Sequence, residues 1–449
     1  MYALLERINA AVWGIPLLIL ILGVGIYISI RTGFVQFRSF PKALKAFLRQ
    51  FKKNVDTEGV SSYRALCTAL AATVGTGNLA GVAGAIAIGG PGAIFWMWIC
   101  ALIGMTTKFA EATLAVRYRQ RTNHGEFVGG PMYMIRNGLK KKWHVLAYIY
   151  CFLGVVASFG VGNATQINTV IGGAQGIADA FGTEFSLVAK ILLGSILAVL
   201  LTVLLLGGAK RIGSATEVLV PVVSAGYLLL GATVLIMRAD AIPGAFEAIF
   251  TGAFNPKAVT GGVVGSVFAT LRIGASRGVF TNEAGMGTAS IAHAAGNVRH
   301  PTEQGLMGIM EVFIDTIVIC TVTALVILCS GVPITYGIDT GVTLTAEAFS
   351  AVSGDWICIP LTFALCCFAI ATVLGWGLYG ARCAQFLFGD DAWKKFVLLQ
   401  GVMVIVGAVL NTGTVWLLAD IVNGLMAIPN LIALLLLTPE LVRLTKKNA

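Results

Sequence analysis

Residues 63–88, YRALCTALAATVGTGNLAGVAGAIAI, form an apolar stretch with a polar, glycine-containing interruption near its middle. The stretch exceeds the roughly 20 apolar residues that a helix needs to cross a bilayer, so it predicts a membrane span. The interruption is Thr73-Val74-Gly75-Thr76-Gly77-Asn78. Each glycine weakens a helix by about 1 kcal/mol relative to alanine, which predicts a helix break at this point. Irregular backbone at such depth survives only where it is buried in protein or lines a wet cavity.

The rest of the chain has the same apolar character. Its 449 residues are 57% hydrophobic and only 12% charged, and the mean hydropathy is +0.86. Soluble globular proteins carry about 25% charged residues, so that class is excluded. The net charge of +10 does not indicate a nucleic-acid partner, because the Lys and Arg residues lie between apolar spans. The lipid bilayer is the predicted environment.

Apolar windows predict an all-α integral membrane protein with eleven transmembrane helices. The predicted spans are residues 11–30, 63–88, 93–117, 145–171, 187–206, 217–237, 257–295, 304–330, 356–388, 394–410 and 415–437. With the N-terminus outside, the cytoplasmic segments hold 25 Lys and Arg residues and the outer segments hold 4. Because cytoplasmic loops retain positive charge, this predicts the cytoplasmic (inner) membrane, with the C-terminus in the cytoplasm.

The seventh predicted span is also interrupted. It contains two polar, glycine-containing stretches, Arg272 to Gly278 and Thr281 to Gly287. Five spans separate its start from that of the second span, which predicts two inverted repeats, residues 61–238 and 256–438, within a single transporter domain. Residues 1–60 form an extra first helix and an amphipathic cytoplasmic loop. Paired interrupted helices in two halves point to a transporter binding site.

The first break offers ligands for two opposite charges. The N–H groups at the start of the following half-helix suit a carboxylate, and Thr76, Gly77 and Asn78 are placed for it. The carbonyls that end the preceding half-helix, those of Ala71 and Val74, suit a hard cation. An anion beside a cation is an arrangement that couples an amino acid to sodium.

Residues 89–104, GGPGAIFWMWICALIG, match the signature of the alanine or glycine:cation symporters, also called sodium:alanine symporters. Further similar stretches are residues 68–81, 129–133, 282–285 and 374–380, so the resemblance covers essentially the whole chain. The family is similar in fold to the sodium-coupled leucine transporter, with an extra first helix before a five-plus-five inverted repeat. The resemblance implies a secondary active symporter that imports alanine or glycine by alternating access. Sodium is the implied coupling ion, and no organic cofactor is implied.

The resemblance also implies site residues. For the substrate it implies Gly75, Thr76, Gly77 and Asn78, and further candidates on other spans are Asn163, Gln166, Phe268, Ile273 and Trp376. Those implied for sodium are Ala71, Thr73, Val74, Phe368 and Thr372. The amides of Thr76 and Gly77 would bind the substrate carboxylate, and Phe268, Ile273 and Trp376 would restrict the pocket to a small side chain.

Charged residues inside the predicted spans leave alternatives open. They are Lys108, Glu111, Arg272, Arg277, Glu283, Glu311 and Asp315. An internal ion-pair network is favoured over substrate contact, and a proton carried by Glu311 or Asp315 is the alternative to sodium. For Gly77-x-x-x-Gly81, and for the amides of Asn163 and Gln166, ordinary helix packing is the alternative.

Two other classes of function are disfavoured. A membrane enzyme would need a nucleophile with a base or a set of metal ligands, but His124, His144, His293 and His300 show no metal-binding spacing. A channel is disfavoured because the paired interrupted helices are typical of transporters.

Overall fold

A computed structural model describes residues 2–50, 60–122, 125–180, 182–338, 341–410 and 413–447. Four helices lie before the second predicted span: α1 (Tyr2–Val12), α2 (Ile15–Arg31), α3 (Val35–Arg38) and α4 (Phe40–Gln50). Helices α1 and α2 are separated by two residues, and the segment Leu4–Arg31 is long and apolar enough to cross a membrane. The amphipathic loop predicted within residues 1–60 is helical in α4, and residues 51–59 lie outside the described part.

The first half of the chain continues with eight helices and three short strands. They are β1 (Val60–Ser61), α5 (Ser62–Thr73), α6 (Val82–Gly89), α7 (Gly92–Tyr118), β2 (Gln120–Arg121), β3 (Phe127–Val128), α8 (Pro131–Gly138), α9 (Val145–Phe159), α10 (Thr165–Ala180), α11 (Leu187–Leu206) and α12 (Gly208–Met237). A π-helical turn, Gly77–Gly81, leads into α6, and another, Gly160–Ala164, joins α9 to α10. Such turns are frequent at functional sites.

The second half contains ten helices and one strand. They are α13 (Ile242–Phe254), α14 (Pro256–Val259), α15 (Val267–Asn282), α16 (Ala289–Ala294), β4 (Gly296–Asn297), α17 (Pro301–Val312), α18 (Thr321–Cys329), α19 (Val342–Ser353), α20 (Cys358–Phe388), α21 (Ala392–Val409) and α22 (Gly413–Lys447). A third π-helical segment, Phe313–Cys320, joins α17 to α18. Short 3-10 turns cover Lys141–Trp143, Ala239–Ala241 and Asp355–Ile357.

The predicted helical membrane architecture is confirmed, but the count of eleven spans is not reached by length and composition. Within the described ranges, nine helical segments are long and apolar enough to span, and the bent pair Ser62–Thr73 and Gly77–Gly89 makes a tenth. The predicted seventh span corresponds to α15 and α16, which have 16 and 6 residues and are separated by a non-helical segment. Eleven spans therefore remain a prediction.

Close helix contacts place the broken span at the centre of the bundle. Helix α20 packs against α5, with Gly375 so near that an added Cβ would lie 2.8 Å from the Cβ of Ala72. Helix α7 packs against α15 and α17. Strand β1 pairs in parallel with β4, which joins the start of α5 to the segment that follows α16. The small residues allow these backbones to approach closely.

The sequence did not predict α13 and α19 as helices. Helix α19 lies over the broken span, since the hydroxyl of Thr345 donates a hydrogen bond of 3.2 Å to the carbonyl of Leu79. The loop before α19 contacts the end of α6, where the Gly337 amide donates a hydrogen bond of 2.9 Å to the Ala87 carbonyl. This region therefore covers one end of the second span.

Candidate functional site

The predicted break in the second span is confirmed. Helix α5 ends at Thr73, and the helix that restarts at Gly77 is bent from it by 53°. The Gly75 amide, which would donate to the Ala71 carbonyl in a continuous helix, donates instead to Oδ1 of Asn78 at 2.8 Å. The exchange releases the carbonyl of Ala71 from its helical donor. The side chain of Asn78 thus stabilises the break from within.

A small cavity adjoins this break. It lies between the predicted second, fourth, seventh, ninth and eleventh spans. Its wall combines backbone, hydroxyl, amide, carboxylate and aromatic groups. Its lining residues are Ala72, Thr73, Gly75, Thr76, Gly77, Val161, Gln166, Phe280, Glu283, Thr372, Trp376 and Asn423. The predicted site residues on its wall are Thr73, Gly75, Thr76, Gly77, Gln166, Thr372 and Trp376.

The side chain of Asn78 does not line this cavity. It is fully buried, and its Nδ2 donates to Oδ1 of Asp315 at 2.7 Å and to the Asp315 carbonyl at 3.2 Å. Asp315 also accepts a hydrogen bond of 2.8 Å from the hydroxyl of Thr316. Asn78 is therefore a link between the break and the π-helical segment of the eighth span, and not a group that faces the cavity.

The two predicted amides of the fourth span have different environments. Asn163 lies on the π-helical turn and bonds both the carbonyl and the side-chain oxygen of Gln400, which ties the span to α21. Asn163 therefore has the helix-packing role that was the alternative to substrate binding. Gln166 reaches the cavity, where its Nε2 donates to the Val161 carbonyl at 3.1 Å. Its buried Oε1 has no donor among the described residues. Gln166 therefore offers a free acceptor to a ligand.

Phe268 and Ile273 lie away from the cavity, so the structure does not support them as its walls. Phe268 is 51% exposed in the first turn of α15, and Ile273 lies next to Gly89. The sequence placed an interruption at residues 272–278, but α15 runs without a break to Asn282. Ile273 is therefore about 13 Å along the helix from its C-terminal end. Phe280 takes the aromatic position at the cavity instead.

The predicted seventh span breaks within its second predicted interruption, at Glu283, which follows α15 in the left-handed conformation with φ of 54°. Glu283 is 4% exposed and lines the cavity. Its Oε1 accepts a hydrogen bond of 3.0 Å from Nε1 of Trp376, and its Oε2 accepts one from the hydroxyl of Thr288. The sequence marked Glu283 as an intramembrane charge but not as a cavity residue, because its φ and its contact with Trp376 depend on the tertiary structure.

The predicted sodium ligand Thr372 lies on α20, next to Gly75 of the break. The hydroxyl of Thr372 donates to the Phe368 carbonyl at 3.0 Å, so its lone pairs remain available. Gly75 packs against it, since a Cβ added there would lie 2.9 Å from Thr372 Oγ1. Hydroxyl and carbonyl oxygens are ligands for hard cations. The Thr372 hydroxyl and the released carbonyl of Ala71 are oxygens of this kind.

The predicted carbonyl ligand Val74 follows α5 in extended conformation, and its amide still donates to Leu70. The hydroxyl of Thr73 donates to the Ala69 carbonyl at 3.3 Å. The carbonyl of Phe368 accepts the hydrogen bond from the Thr372 hydroxyl, and the Phe368 ring packs near Tyr227. These side chains are buried next to the break, and their part in ion binding remains a prediction.

A buried charge cluster lies beside the cavity, as the internal-network interpretation expects. Nζ of Lys108 is 3.0 Å from Oε1 of Glu311, and both side chains have zero exposure. Oε2 of Glu311 is 2.8 Å from Nε2 of His293. Oε1 of Glu111 accepts from the amides of Gly285 and Gly287 and from Nδ2 of Asn430. The cluster ties α7 and α17 to the second break.

His293 lies in the last turn of α16, where it is fully buried and pairs with Glu311. His124 lies outside the described residues. Within the described ranges no group of three or more His, Cys, Asp or Glu side chains could hold a metal ion.

A bundle of membrane-crossing helices, broken around a small polar cavity, defines the class of secondary transporters. The sequence profile of the sodium:alanine symporter family matches residues 1–448. The chain belongs to this family, whose members are transporters and not enzymes.

Individual relatives agree with this assignment. The sodium/alanine symporter AgcS of Methanococcus maripaludis is 42% identical, covering 99% of this chain and 96% of the relative. The amino-acid carrier protein AlsT of Bacillus subtilis is 38% identical, covering 93% and 86%. Among solved structures, that of MhsT in complex with L-phenylalanine has a TM-score of 0.59 at 15% identity, and covers 87% of this chain and 99% of that one. This last likeness concerns the fold alone.

Proposed function

We propose that the protein imports a small neutral amino acid, alanine or glycine, together with sodium by alternating access. The observation that carries the proposal is the cavity at the break, bounded by Thr76 and Gly77 on one side and by Thr372 on another. A relative that is 42% identical is named a sodium/alanine symporter. The chemistry of the cavity suits both solutes.

In this proposal the substrate carboxylate binds the amides of Thr76 and Gly77. These amides begin the helix that continues to Gly89, where helix geometry supplies no acceptor and the dipole favours an anion. The ring of Phe280 and the indole of Trp376 lie on the cavity wall and would limit the side chain to a small one. Gln166 supplies a further polar contact.

Sodium would be bound by the Thr372 hydroxyl together with the carbonyls of Ala71 and Val74. The released carbonyl of Ala71 and the approach of Gly75 to Thr372 support this placement. The ion would join the two helical segments α5 and α20, so its binding would favour one conformation of the break. A ligand that binds one conformation better than the other shifts the equilibrium between them.

The finer architecture belongs to the same proposal. We infer eleven spans, with α15 and α16 together forming the seventh, and inverted repeats at residues 61–238 and 256–438. Two breaks, near Gly75 and at Glu283, fall in the second and seventh segments, as this arrangement requires. The excess of Lys and Arg supports a cytoplasmic C-terminus in the inner membrane.

Proton coupling is the second candidate, and one observation favours it. The carboxyl of Asp315 is fully buried and bonded to Asn78 and Thr316, with no cationic partner within 4.0 Å among the described residues. A proton on this group would change its bonding to Asn78 and hence to the break. Glu311 is the weaker proton carrier, because Lys108 and His293 already pair with it.

Uptake of radiolabelled alanine into proteoliposomes tests the proposal. Inward sodium, inward proton and no gradient are compared in the same preparation. Accumulation above the external concentration with sodium alone is expected. Accumulation with protons alone would replace sodium coupling by the Asp315 mechanism, and no accumulation with either would refute the substrate assignment.

A further inference from the structure

We propose that Glu283 binds the ammonium group of the substrate and thereby restricts the cavity to zwitterionic amino acids. The inference rests on the proposed function and adds to it a residue that selects the substrate class. Its basis is the position of the carboxylate, the way it is held, and the charge balance around it.

The two breaks present opposite charges to one cavity. Thr76 and Gly77 contribute the positive end of a helix, and Glu283 contributes a carboxylate at the end of α15. An α-amino acid carries a carboxylate and an ammonium on the same carbon. A zwitterion placed between the two breaks would therefore meet a complementary group at each end, whereas a monocarboxylate would leave Glu283 facing no positive charge.

The carboxylate of Glu283 is held in a fixed orientation but is not saturated. Trp376 and Thr288 each donate one hydrogen bond, one to each oxygen. A carboxylate has about four lone-pair sites, so acceptor capacity remains. The left-handed backbone, with φ of 54°, is uncommon for a non-glycine residue and is frequent at ligand-binding sites. These contacts orient the group without neutralising it.

Charge balance singles out Glu283 within the buried cluster. Glu311 pairs with Lys108 and faces His293. Glu111 accepts from two backbone amides and Asn430. Glu283 has no ion pair within 4.0 Å in the described part of the chain, although it interacts electrostatically with Lys108 at longer range. Lys108 is therefore the lysine shared by three carboxylates. Of these three, Glu283 accepts hydrogen bonds only from two neutral donors, and it lines the cavity.

An ammonium group fits the cavity wall formed by Glu283 and Gln166 better than sodium does. An ammonium group has three N–H donors, and the cavity offers acceptors in the carboxylate of Glu283 and in the free Oε1 of Gln166. Hard cations prefer a shell of six or more oxygens, and the hydroxyl and carbonyl oxygens of that kind lie near Thr372. Glu283 and Thr372 thus serve different charges.

The test compares L-alanine with propionate, which has the same carboxylate and carbon skeleton but no ammonium. Binding to purified protein in saturating sodium is measured from the ligand-dependent shift in Tm. The wild type should bind alanine much more tightly than propionate. Glu283→Gln keeps the shape and should weaken alanine binding by on the order of 10- to 100-fold, because a hydrogen bond to a charged group is lost. Propionate binding should not weaken, because the variant no longer places a carboxylate opposite this anion.

Glu111→Gln is the matched control, because it removes a carboxylate from the same cluster at a position that does not line the cavity. It should leave the ratio of alanine to propionate affinity unchanged. Glu283→Asp, which retains the charge, should keep more of the ratio than Glu283→Gln. It also replaces the glutamine variant if that protein does not fold.

Three outcomes would overturn the inference. They are an unchanged affinity ratio in the Glu283 variants, an equal loss in Glu111→Gln, and a raised sodium requirement with the ratio intact. The last would assign Glu283 to the ion. Failure of the wild type to bind alanine would instead refute the proposed function, and the inference with it.

Discussion

Replacement of Lys108 by methionine should destabilise the protein strongly. Lys108 and Glu311 lie 3.0 Å apart with zero exposure, so the change leaves a buried carboxylate without its cation. Breaking a buried pair from one side costs about 3–5 kcal/mol. His293 compensates only in part, since it also bonds Gln304 at 2.7 Å. At roughly 2 °C per kcal/mol for large domains, Tm should fall by roughly 5–10 °C.

The pattern among variants is more informative than any single value. Lys108 also interacts with Glu111 and Glu283, so Glu311→Gln should cost less than Lys108→Met. The double variant Lys108→Met, Glu311→Gln removes both charges and should recover at least half of the single loss, because replacing a whole buried pair is often nearly neutral.

Thermal melting of purified protein in detergent measures these differences. Lys395→Met, at an exposed lysine, is the matched control and should change stability by no more than about 0.5 kcal/mol. A Lys108→Met protein that melts with the wild type would show that the pair carries no stability. A double variant that melts below Lys108→Met would show that the lost packing, and not the unpaired charge, was responsible.

Three further predictions concern the site. Thr372→Ala should raise the half-saturating sodium concentration by on the order of 10-fold in uptake assays, Thr372→Ser should not, and an unchanged value in the alanine variant would remove Thr372 from the ion site. Gly75→Ala should raise the half-saturating sodium concentration several-fold (~1 kcal/mol), since its Cβ would lie 2.9 Å from the Thr372 hydroxyl. Gly77→Ala should have little effect on that concentration, because a Cβ there meets neighbours at 3.5 Å or more, and equal effects of the two variants would refute this reasoning. Asn163→Ala should lower stability by about 1–3 kcal/mol without changing alanine affinity, and Gln166→Ala should do the reverse; melting and binding measured together would expose an exchange of these roles.

The membrane class and the first break could be predicted because both depend on local sequence. Long apolar runs require lipid, and the interruption at residues 73–78 has few ways to remain helical. Seven predicted site residues reached one cavity because they lie on or directly opposite that interruption. The family resemblance supplied the partner residues on distant spans.

Of the two interruptions predicted in the seventh span, residues 281–287 contain the break and residues 272–278 do not, because glycine has two uses in a membrane helix. Gly274 and Gly278 lie four residues apart in α15 and pack closely against α7, where a Cβ at Gly278 would come within 3.3 Å of the Cβ of Cys100. They serve close packing and not a break. Gly77 and Gly81 both face Thr281, so that pair has a packing role beside the break.

The sequence by itself determined that the chain crosses the membrane, that its second span breaks near Gly75, and that charged residues such as Lys108, Glu311 and Asp315 lie within the apolar spans. It did not determine which of these charges are buried, since Arg272 is exposed. The tertiary structure decided their partners: Asn78 meets Asp315, and Glu311 meets Lys108 and His293. It also decided that Glu283, and not Phe268, reaches the cavity. The physical reason is that a buried polar group must find a partner, but which partner is near depends on how helices distant in sequence pack together.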